Sequence, residues 1–168
     1  MSVYLERYSN RYKSQIECYQ LTDEQLQFTG SPVESIFVAK SDEDRYPVLV
    51  IDDEVIVSYF VLHMNEGVSP YSNNQKAILL RTFSTDYRYQ GRGYAKQSLL
   101  ELPKFVKMNF PDITEVVLAV NVKNIAAQSL YLKCGFIDEG ARIMGSHGEL
   151  IIMSLKVNGV IWDKFKDY

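Results

Sequence analysis

The segment 77–135 begins with the apolar run AILLRTF at residues 77–83 and continues into the sequence RYQGRGYA at residues 88–95. A helical pattern of apolar residues follows, and then a second apolar run, EVVLAV, at residues 115–120. The segment closes with NIAAQSLYLKCG at residues 124–135, where Gly135 is a typical C-terminal stop for a helix. The order strand, glycine loop, helix, strand, helix predicts a βαβα unit.

Both flanks of this unit carry strand and helix patterns. Alternating or apolar runs predict strands at 3–8, 46–51 and 55–64 upstream, and at 136–144 and 150–157 downstream. Start signals at Thr22 and Ser31 predict short helices, at 23–28 and from Pro32 onward, after a first helix at about 10–19. The long helix after the glycine loop contains Pro103, where we expect a kink or a break. Residues 65–74 are predicted to form a loop of the kind that often binds ligands.

Composition is typical of a single-domain globular protein. With 168 residues, 46% hydrophobic and 23% charged, the chain fits one domain spanning 1–168 with its own core. A formal net charge of −3 gives no general attraction to nucleic acid. No apolar run approaches the roughly 18 residues that a membrane-spanning helix needs. Cys18 and Cys134 lack metal-ligand spacing and, without a secretory signal, are expected to be reduced thiols in the cytoplasm.

The glycine motif is Arg88-x-x-Gly91-x-Gly93. Glycines allow a ligand to approach the backbone closely, and amides at a helix start carry the positive end of the helix dipole. Such a turn suits a pyrophosphate, with Arg88, Arg92 and Lys96 as nearby cations. The motif is not a P-loop, because it lacks the Gly-Lys-[Ser/Thr] ending, and it is not the dinucleotide fingerprint, because the third expected glycine position holds Lys96. By itself it is also compatible with a simple tight turn.

The second motif is Asn124-x-x-Ala127-x-x-Leu130-Tyr131, followed by Gly135 and Phe136. Helical spacing places Asn124, Ala127 and Tyr131 on one face, and the small side chain at 127 allows a partner to pack there. Six fixed positions are far more specific than the glycine motif. The alternative is that Asn124 is only a helix cap and Tyr131 only a core residue.

Together these motifs resemble the GCN5-related N-acetyltransferase (GNAT) superfamily, over about residues 77–157. The resemblance implies an α/β (α+β) fold: a mixed, mostly antiparallel sheet of six to seven strands flanked by helices. Two central strands splay apart, and acetyl-CoA is expected in the opening. The expected acceptor is a primary amine, of a small molecule such as a polyamine or of a peptide, which attacks the thioester directly. A homodimer is a further expectation, with Trp162 and Phe165 of the tail folded back or at a subunit contact.

The resemblance also assigns roles to residues. Backbone groups of Phe83, Ser84 and Thr85 are expected to pair with the pantetheine arm, and an amide there to polarise the thioester carbonyl. Tyr131 is the expected proton donor to the leaving thiolate. The remaining expected acetyl-CoA contacts are Arg88, Gly91, Arg92, Gly93, Tyr94, Ala95, Asn124 and Ala127.

The general base departs from the family pattern. Some members carry a glutamate early in the strand before the glycine loop, where this chain has Ala77. The alternatives are a water chain or one of Glu34, Glu66, Asp86, His63 and Glu149. Cys134 is expected to pack in the core rather than to act as a nucleophile. Two rival hypotheses remain: a CoA-binding regulatory module without activity, and a nucleotide-phosphate binder of another fold.

Overall fold

The computed structural model describes residues 2–157, which form seven strands and five α-helices. All seven strands belong to one sheet. The strands are β1 (Tyr4–Arg7), β2 (Arg45–Asp52), β3 (Val55–His63), β4 (Ala77–Thr85), β5 (Glu115–Asn121), β6 (Ile137–Gly145) and β7 (Gly148–Lys156). The helices are α1 (Lys13–Glu17), α2 (Asp23–Leu26), α3 (Pro32–Ala39), α4 (Tyr94–Asn109) and α5 (Ile125–Lys133).

The sheet has the order β1-β2-β3-β4-β5-β7-β6. Every neighbouring pair is antiparallel except β4 and β5, which are parallel and are connected through α4. A parallel pair needs such a crossover, whereas antiparallel neighbours can be joined by short turns. The predicted mixed, mostly antiparallel sheet with flanking helices is therefore confirmed.

Side chains on the two faces of the sheet form separate cores. On one face α4 packs Leu99, Leu102 and Val106 against the strands. On the other face α1 and α3 contribute Ile16 and Ile36 to a second cluster. The central strand β3 is buried on both faces, as its continuous apolar run predicts. The two faces are thus covered by different parts of the chain, the N-terminal helices on one and the glycine-loop helix on the other.

The helix termini follow the sequence signals closely. Thr22 and Gln25 form a capping box at the start of α2, and the Ser31 side chain accepts a hydrogen bond from the Glu34 amide at the start of α3. Of the kink or break expected at Pro103, the break is wrong, because α4 runs without interruption from Tyr94 to Asn109, and the kink stays a prediction. Pro103 is buried together with Leu102 and Val106. Packing of this face offsets the lost backbone hydrogen bond.

Three further expectations concern membrane-spanning helices, the C-terminal tail and the loop after β3. No helix within residues 2–157 is both long and apolar enough to cross a membrane. Trp162 and Phe165 lie outside the described residues, so the expectation for the tail stays a prediction. Residues 65–74 form the predicted loop, which opens with a 3₁₀ turn and buries Val68 against the sheet.

Candidate active site

A cleft opens where the two parallel strands part. Pairing between β4 and β5 covers only residues 77–79 of one strand and 115–117 of the other. Both strands continue beyond this point, to Thr85 and Asn121. The unpaired halves line a cavity of about 880 Å³, a size typical of small-molecule sites. The sheet therefore creates the site by splaying at its centre.

Four parts of the chain form most of the lining of this cavity, and a fifth closes one side. The four are the second half of β4, the glycine loop with the start of α4, the end of β5 with α5, and the segment 22–29 near α2. The turn between β6 and β7 closes one side with Gly145, Ser146 and His147. The same cavity thus contacts both the glycine loop and the N-terminal segment 22–29.

A bulge in β4 lies at the edge of the cavity. Tyr59 pairs with Ser84 and Val61 pairs with Arg81, so Phe60 faces both Thr82 and Phe83. Thr82 has a φ of 56°, a conformation that is rare for a β-branched residue. An extra residue of this kind leaves backbone groups outside the strand ladder. Backbone strain of this type is concentrated at functional sites, and here it lies where the sequence predicts contacts to pantetheine.

The glycine loop has the geometry that its sequence predicts. Gly91 and Gly93 both have positive φ values, 76° and 84°. Gly93 is the N-cap of α4, and its carbonyl accepts the first helical hydrogen bond, from Gln97. The amides of Tyr94, Ala95 and Lys96 thus head the helix without intrahelical partners. A Cβ added at Gly91 or Gly93 would meet no protein atom within 4 Å, so the space above the loop is open to a ligand.

Arg88 and Arg92 do not line the cavity, although the sequence places both near a pyrophosphate. The Arg88 guanidinium donates hydrogen bonds to Asp86, with Nη2 2.7 Å from Oδ2, and to the carbonyl oxygen of Cys18. The Arg92 guanidinium lies over the ring of Tyr89. The cationic residues of the described lining are instead Lys96, in the first turn of α4, and Arg81 on β4. The roles predicted for Arg88 and Arg92 at the phosphates stay predictions.

Helix α5 presents its predicted face to the cavity. The Asn124 side chain caps the helix by accepting a hydrogen bond from the Ala127 amide, at 3.2 Å. Asn124, Ala127 and Tyr131 all line the cavity. The Tyr131 ring packs against Phe83 and Phe136, and its hydroxyl has no hydrogen-bond partner within residues 2–157. Burial raises the pKa of Tyr131, so this phenol stays protonated at neutral pH.

The N-terminal wall of the cavity is attached to the end of β4. The Tyr19 hydroxyl donates to the Ser84 carbonyl at 2.9 Å, and the Gln25 side-chain amide donates to the Thr85 carbonyl at 2.7 Å. The Asp86 carboxylate accepts a bond from the Gln20 amide. These contacts occupy carbonyls of the strand end that the sequence predicts to contact pantetheine. They fix the two walls of the cavity relative to one another.

The candidate bases fall outside the cavity. Glu34, Glu66, His63, Asp86 and Glu149 are absent from its described lining, and Glu24 is the one carboxylate that the described lining contains. Burial favours the protonated form of Asp86, but hydrogen bonds from Arg88 and Gln20 outweigh it, so the net effect is a lowered pKa. Such a stabilised carboxylate is a weak base.

The other titratable groups give no alternative site. Cys134 is buried in the main core, and burial raises the pKa of its thiol, which fits the predicted packing role. Within residues 2–157 no cluster of His, Cys, Asp and Glu side chains is suited to a metal ion. Sequence reasoning missed Glu24, Gln25, Thr29, Arg81 and Thr82, whose places at the cavity depend on how the strands and helices pack rather than on a local motif.

Similarity to known proteins agrees with this geometry. Residues 8–136 match the model of the acetyltransferase (GNAT) family. Over 150 residues the chain is 40% identical to a Bacillus subtilis (strain 168) protein named uncharacterized N-acetyltransferase YbbJ, and the match covers 89% of this chain and 94% of that protein.

Two solved structures illustrate the shared fold. The structure of AAC(6')-Ib in complex with paromomycin and acetyl-CoA has a TM-score of 0.76 at 14% identity, covering 93% of this chain and 94% of that one. Spermidine N-acetyltransferase from Vibrio cholerae, in complex with CoA and spermine, has a TM-score of 0.68 at 16% identity, covering 92% and 95%. On the family match and the close relative together, the chain belongs to the acetyltransferase (GNAT) family, the N-acetyltransferases whose co-substrate is acetyl-CoA.

Proposed function

We propose that this chain transfers the acetyl group of acetyl-CoA to a primary amine that attacks the thioester directly. The observation that carries this proposal is the continuous cavity between β4 and β5, which the glycine loop borders at one wall and the segment 22–29 at another. A cavity shared in this way allows both substrates to be held side by side. Positioning of two reactants can supply much of the rate acceleration.

The residues of the site fit the parts of this reaction. Acetyl-CoA supplies an acetyl group already activated as a thioester. The free amides of Tyr94, Ala95 and Lys96 are suited to its pyrophosphate, because they are unpaired and carry the helix dipole. The bulge at Thr82 and Phe83 offers backbone groups to the acetyl and pantetheine part. A donor aimed at the developing oxyanion is worth roughly 10²–10³ in rate.

Tyr131 is proposed to protonate the leaving thiolate. Tyr131 lines the cavity, its hydroxyl has no hydrogen-bond partner within residues 2–157, and its raised pKa keeps the phenol protonated at neutral pH. An ordinary tyrosine pKa of about 10 already exceeds that of a thiol, about 8.5, and burial raises the pKa of Tyr131 further, so transfer to a solvated thiolate is uphill. Burial disfavours the charged form of the leaving thiolate in the same way, which offsets this difference. General acid catalysis of this kind contributes typically 10²–10⁴-fold. Removal of the proton from the attacking amine falls to water or to Glu24, the carboxylate at the cavity.

Incubation with isotope-labelled acetyl-CoA and a panel of amines tests the proposal. The expected result is labelled amide product with equimolar release of CoA thiol. Initial rates at varied concentrations of both substrates should give intersecting double-reciprocal lines, and intact mass measurement should show no acetyl-enzyme. The Cys134→Ala variant should retain turnover. Parallel lines together with an acetylated cysteine would contradict direct attack, and CoA binding without any labelled acceptor would favour a regulatory CoA-binding module.

A further inference from the structure

Arg81 lies on β4 immediately before the bulge and lines the cavity. It pairs with Val61 of β3, and directly opposite residues of an antiparallel pair share one face of the sheet. Val61 belongs to the cluster that α1 and α3 cover. Arg81 therefore lies on the face of the sheet that carries the N-terminal helices, whereas Leu80, its neighbour, joins the core beneath α4.

A histidine holds the Arg81 guanidinium in place. Nη1 of Arg81 is 3.2 Å from Nδ1 of His63. Because a guanidinium can only donate, Nδ1 is the acceptor and the proton of the neutral imidazole is on Nε2. That Nε2 lies 3.4 Å from Oδ2 of Asp42, a carboxylate that also accepts a hydrogen bond from Arg45. The chain of contacts from Asp42 through His63 fixes the position of the Arg81 guanidinium, on a residue of the cavity lining.

Arg81 has spare capacity for a ligand. Within residues 2–157 the contact with His63 is its only hydrogen bond, and no carboxylate lies within 4 Å of its nitrogens. A guanidinium carries five N–H donors, so most of them have no protein partner there. A partly buried charge of this kind is costly unless an anion pairs with it. The guanidinium fork matches a carboxylate in shape as well as in charge.

The charges around the cavity disfavour a polycationic acceptor. Arg81 and Lys96 are cationic residues of its described lining, and Glu24 is the one acidic residue. A polyamine with several positive charges would need several carboxylates to replace its hydration. An acceptor that carries its own carboxylate beside the amine would instead pair with one of these cations.

The position of Arg81 argues against a role at the pyrophosphate. Thr85 at the end of β4 is four positions further along the chain, which at about 3.3 Å per residue is ~13 Å along the strand. The glycine loop lies further along the chain, beyond the 3₁₀ turn of Tyr87–Tyr89. The anion for which Arg81 is suited therefore belongs to the acceptor side of the bulge.

We propose that Arg81 binds a carboxylate on the acceptor amine, so that the substrate class is amino acids or other amines that carry a carboxylate. This inference rests on the proposed acetyl transfer, since it names the acceptor of the same site. The side chain of Arg81 acts as a specificity-determining contact, and His63 acts as its positioning residue.

Matched substrate pairs test this proposal. Glycine, β-alanine, γ-aminobutyrate and 5-aminovalerate are each compared with the corresponding amide, together with spermidine and phosphoethanolamine. For the carboxylate of best length, kcat/KM should exceed that of its amide by roughly 10- to 150-fold, the value of one charged hydrogen-bonded contact. Arg81→Gln should lower kcat/KM for the carboxylate far more than for its amide, so that this ratio falls close to one. Arg81→Lys should retain part of it.

Arg45→Gln is the matched control, because it removes a guanidinium from the same cluster but outside the cavity lining. It should keep the preference for carboxylates. A preference of the unaltered enzyme for amides or spermidine would overturn the proposal even if Arg81→Gln failed to fold. A preference for phosphoethanolamine over every carboxylate would overturn the choice of carboxylate. An equal loss of kcat/KM with the carboxylate and with the amide in Arg81→Gln would show that the role of Arg81 is merely structural.

A binding measurement separates this proposal from the acetyl transfer itself. If no amine in the panel leads to release of CoA from acetyl-CoA, the proposed function fails. Recognition of a carboxylate can still be measured in that case. Calorimetry of the enzyme–CoA complex compares N-acetyl-β-alanine with its amide. Tighter binding of the carboxylate, weakened at least about tenfold in Arg81→Gln, supports the role of Arg81. Equal binding of both compounds, or an unchanged affinity in the variant, overturns it.

Discussion

Arg88 donates to Asp86 across 2.7 Å, and the Asp86 side chain is fully buried. The same carboxylate accepts hydrogen bonds from the Arg88 amide and from the Gln20 amide. An arginine next to a glycine loop suggests a phosphate ligand from its sequence position alone. In the structure its guanidinium instead helps to join the N-terminal segment to the 3₁₀ turn before the loop.

Exchange of either partner is predicted to lower stability more than CoA affinity. Asp86→Asn leaves the arginine without its counter-charge, and Arg88→Gln leaves the buried carboxylate with backbone donors only. Each should reduce the free energy of unfolding by ~1–3 kcal/mol. This is less than for a fully buried ion pair, because water partly screens the exposed Arg88 side chain. Urea unfolding of both single variants and the double variant measures this, and the double variant should lose less than the sum. Weaker CoA binding at unchanged stability in Arg88→Gln would instead support a direct phosphate contact.

Gly93→Ala is predicted to weaken CoA binding strongly and to destabilise the fold only modestly. The backbone at 93 has a φ of 84°, which costs an alanine about 1–2 kcal/mol, but no protein atom lies where the new methyl would go. The methyl would instead occupy the space through which a phosphate approaches the helix amides. Calorimetry should show at least a tenfold rise in Kd for CoA, about 1.4 kcal/mol.

Gly30→Ala is the control for that change. Position 30 has the same open surroundings, but it lacks a positive φ and lies outside the described cavity lining. Its Kd for CoA should equal that of the unaltered chain. A similar Kd for CoA in both alanine variants would show that the glycine loop does not bind the phosphates.

Some features of the site can be predicted from the local sequence. A positive φ at Gly91 and Gly93, a cap at Asn124 and a stop at Gly135 each depend on a few neighbouring residues, and all four occur. The bulge at Thr82 gives no such signal, because threonine ordinarily disfavours the conformation it adopts there. The contact between His63 and Arg81 depends on strand register, and the intact helix at Pro103 depends on tertiary packing.

Tyr131→Phe is predicted to lower kcat while leaving the KM for acetyl-CoA nearly unchanged. The phenyl ring keeps its packing against Phe83 and Phe136, and only the proton donor is lost. A fall of roughly 10²–10⁴-fold in kcat is expected from loss of a general acid. Steady-state kinetics measures this, with Tyr46→Phe as the control, since Tyr46 packs on Phe110 away from the cavity. A rise in the KM for acetyl-CoA as large as the fall in kcat would instead show that Tyr131 is a binding residue.

The pH profile gives an independent check on Tyr131. Because burial raises its pKa, the phenol should remain protonated in the free enzyme well above pH 10. No descending limb of kcat/KM that depends on Tyr131 should therefore occur between pH 7 and about 10. A descending limb in that range that disappears in Tyr131→Phe would show that the hydroxyl ionises more easily than its buried position predicts.

His63 is predicted to make stability decline in mildly acidic solution. Burial, and then the nearby charges of Arg45 and Arg81, lower the pKa of this imidazole below its ordinary 6.5, while Asp42 acts in the opposite direction and is outweighed. The unfolded chain then binds a proton more readily than the folded one, so stability is complete above pH 6.5 and falls as the pH decreases towards the folded pKa. The slope from one group cannot exceed about 1.4 kcal/mol per pH unit.

Chemical unfolding at several pH values between 5 and 8 measures this effect. His63→Gln should lower stability at pH 8, because the substitution removes the contacts to Arg81 and Asp42. It should also flatten the decline in stability between pH 6.5 and 5. His147→Gln is the control, because His147 is exposed on the turn between β6 and β7 and should leave the slope unchanged. A slope that persists in His63→Gln would mean that another group takes up the proton. A rise in stability on acidification would mean that Asp42 outweighs burial and holds His63 in its charged form.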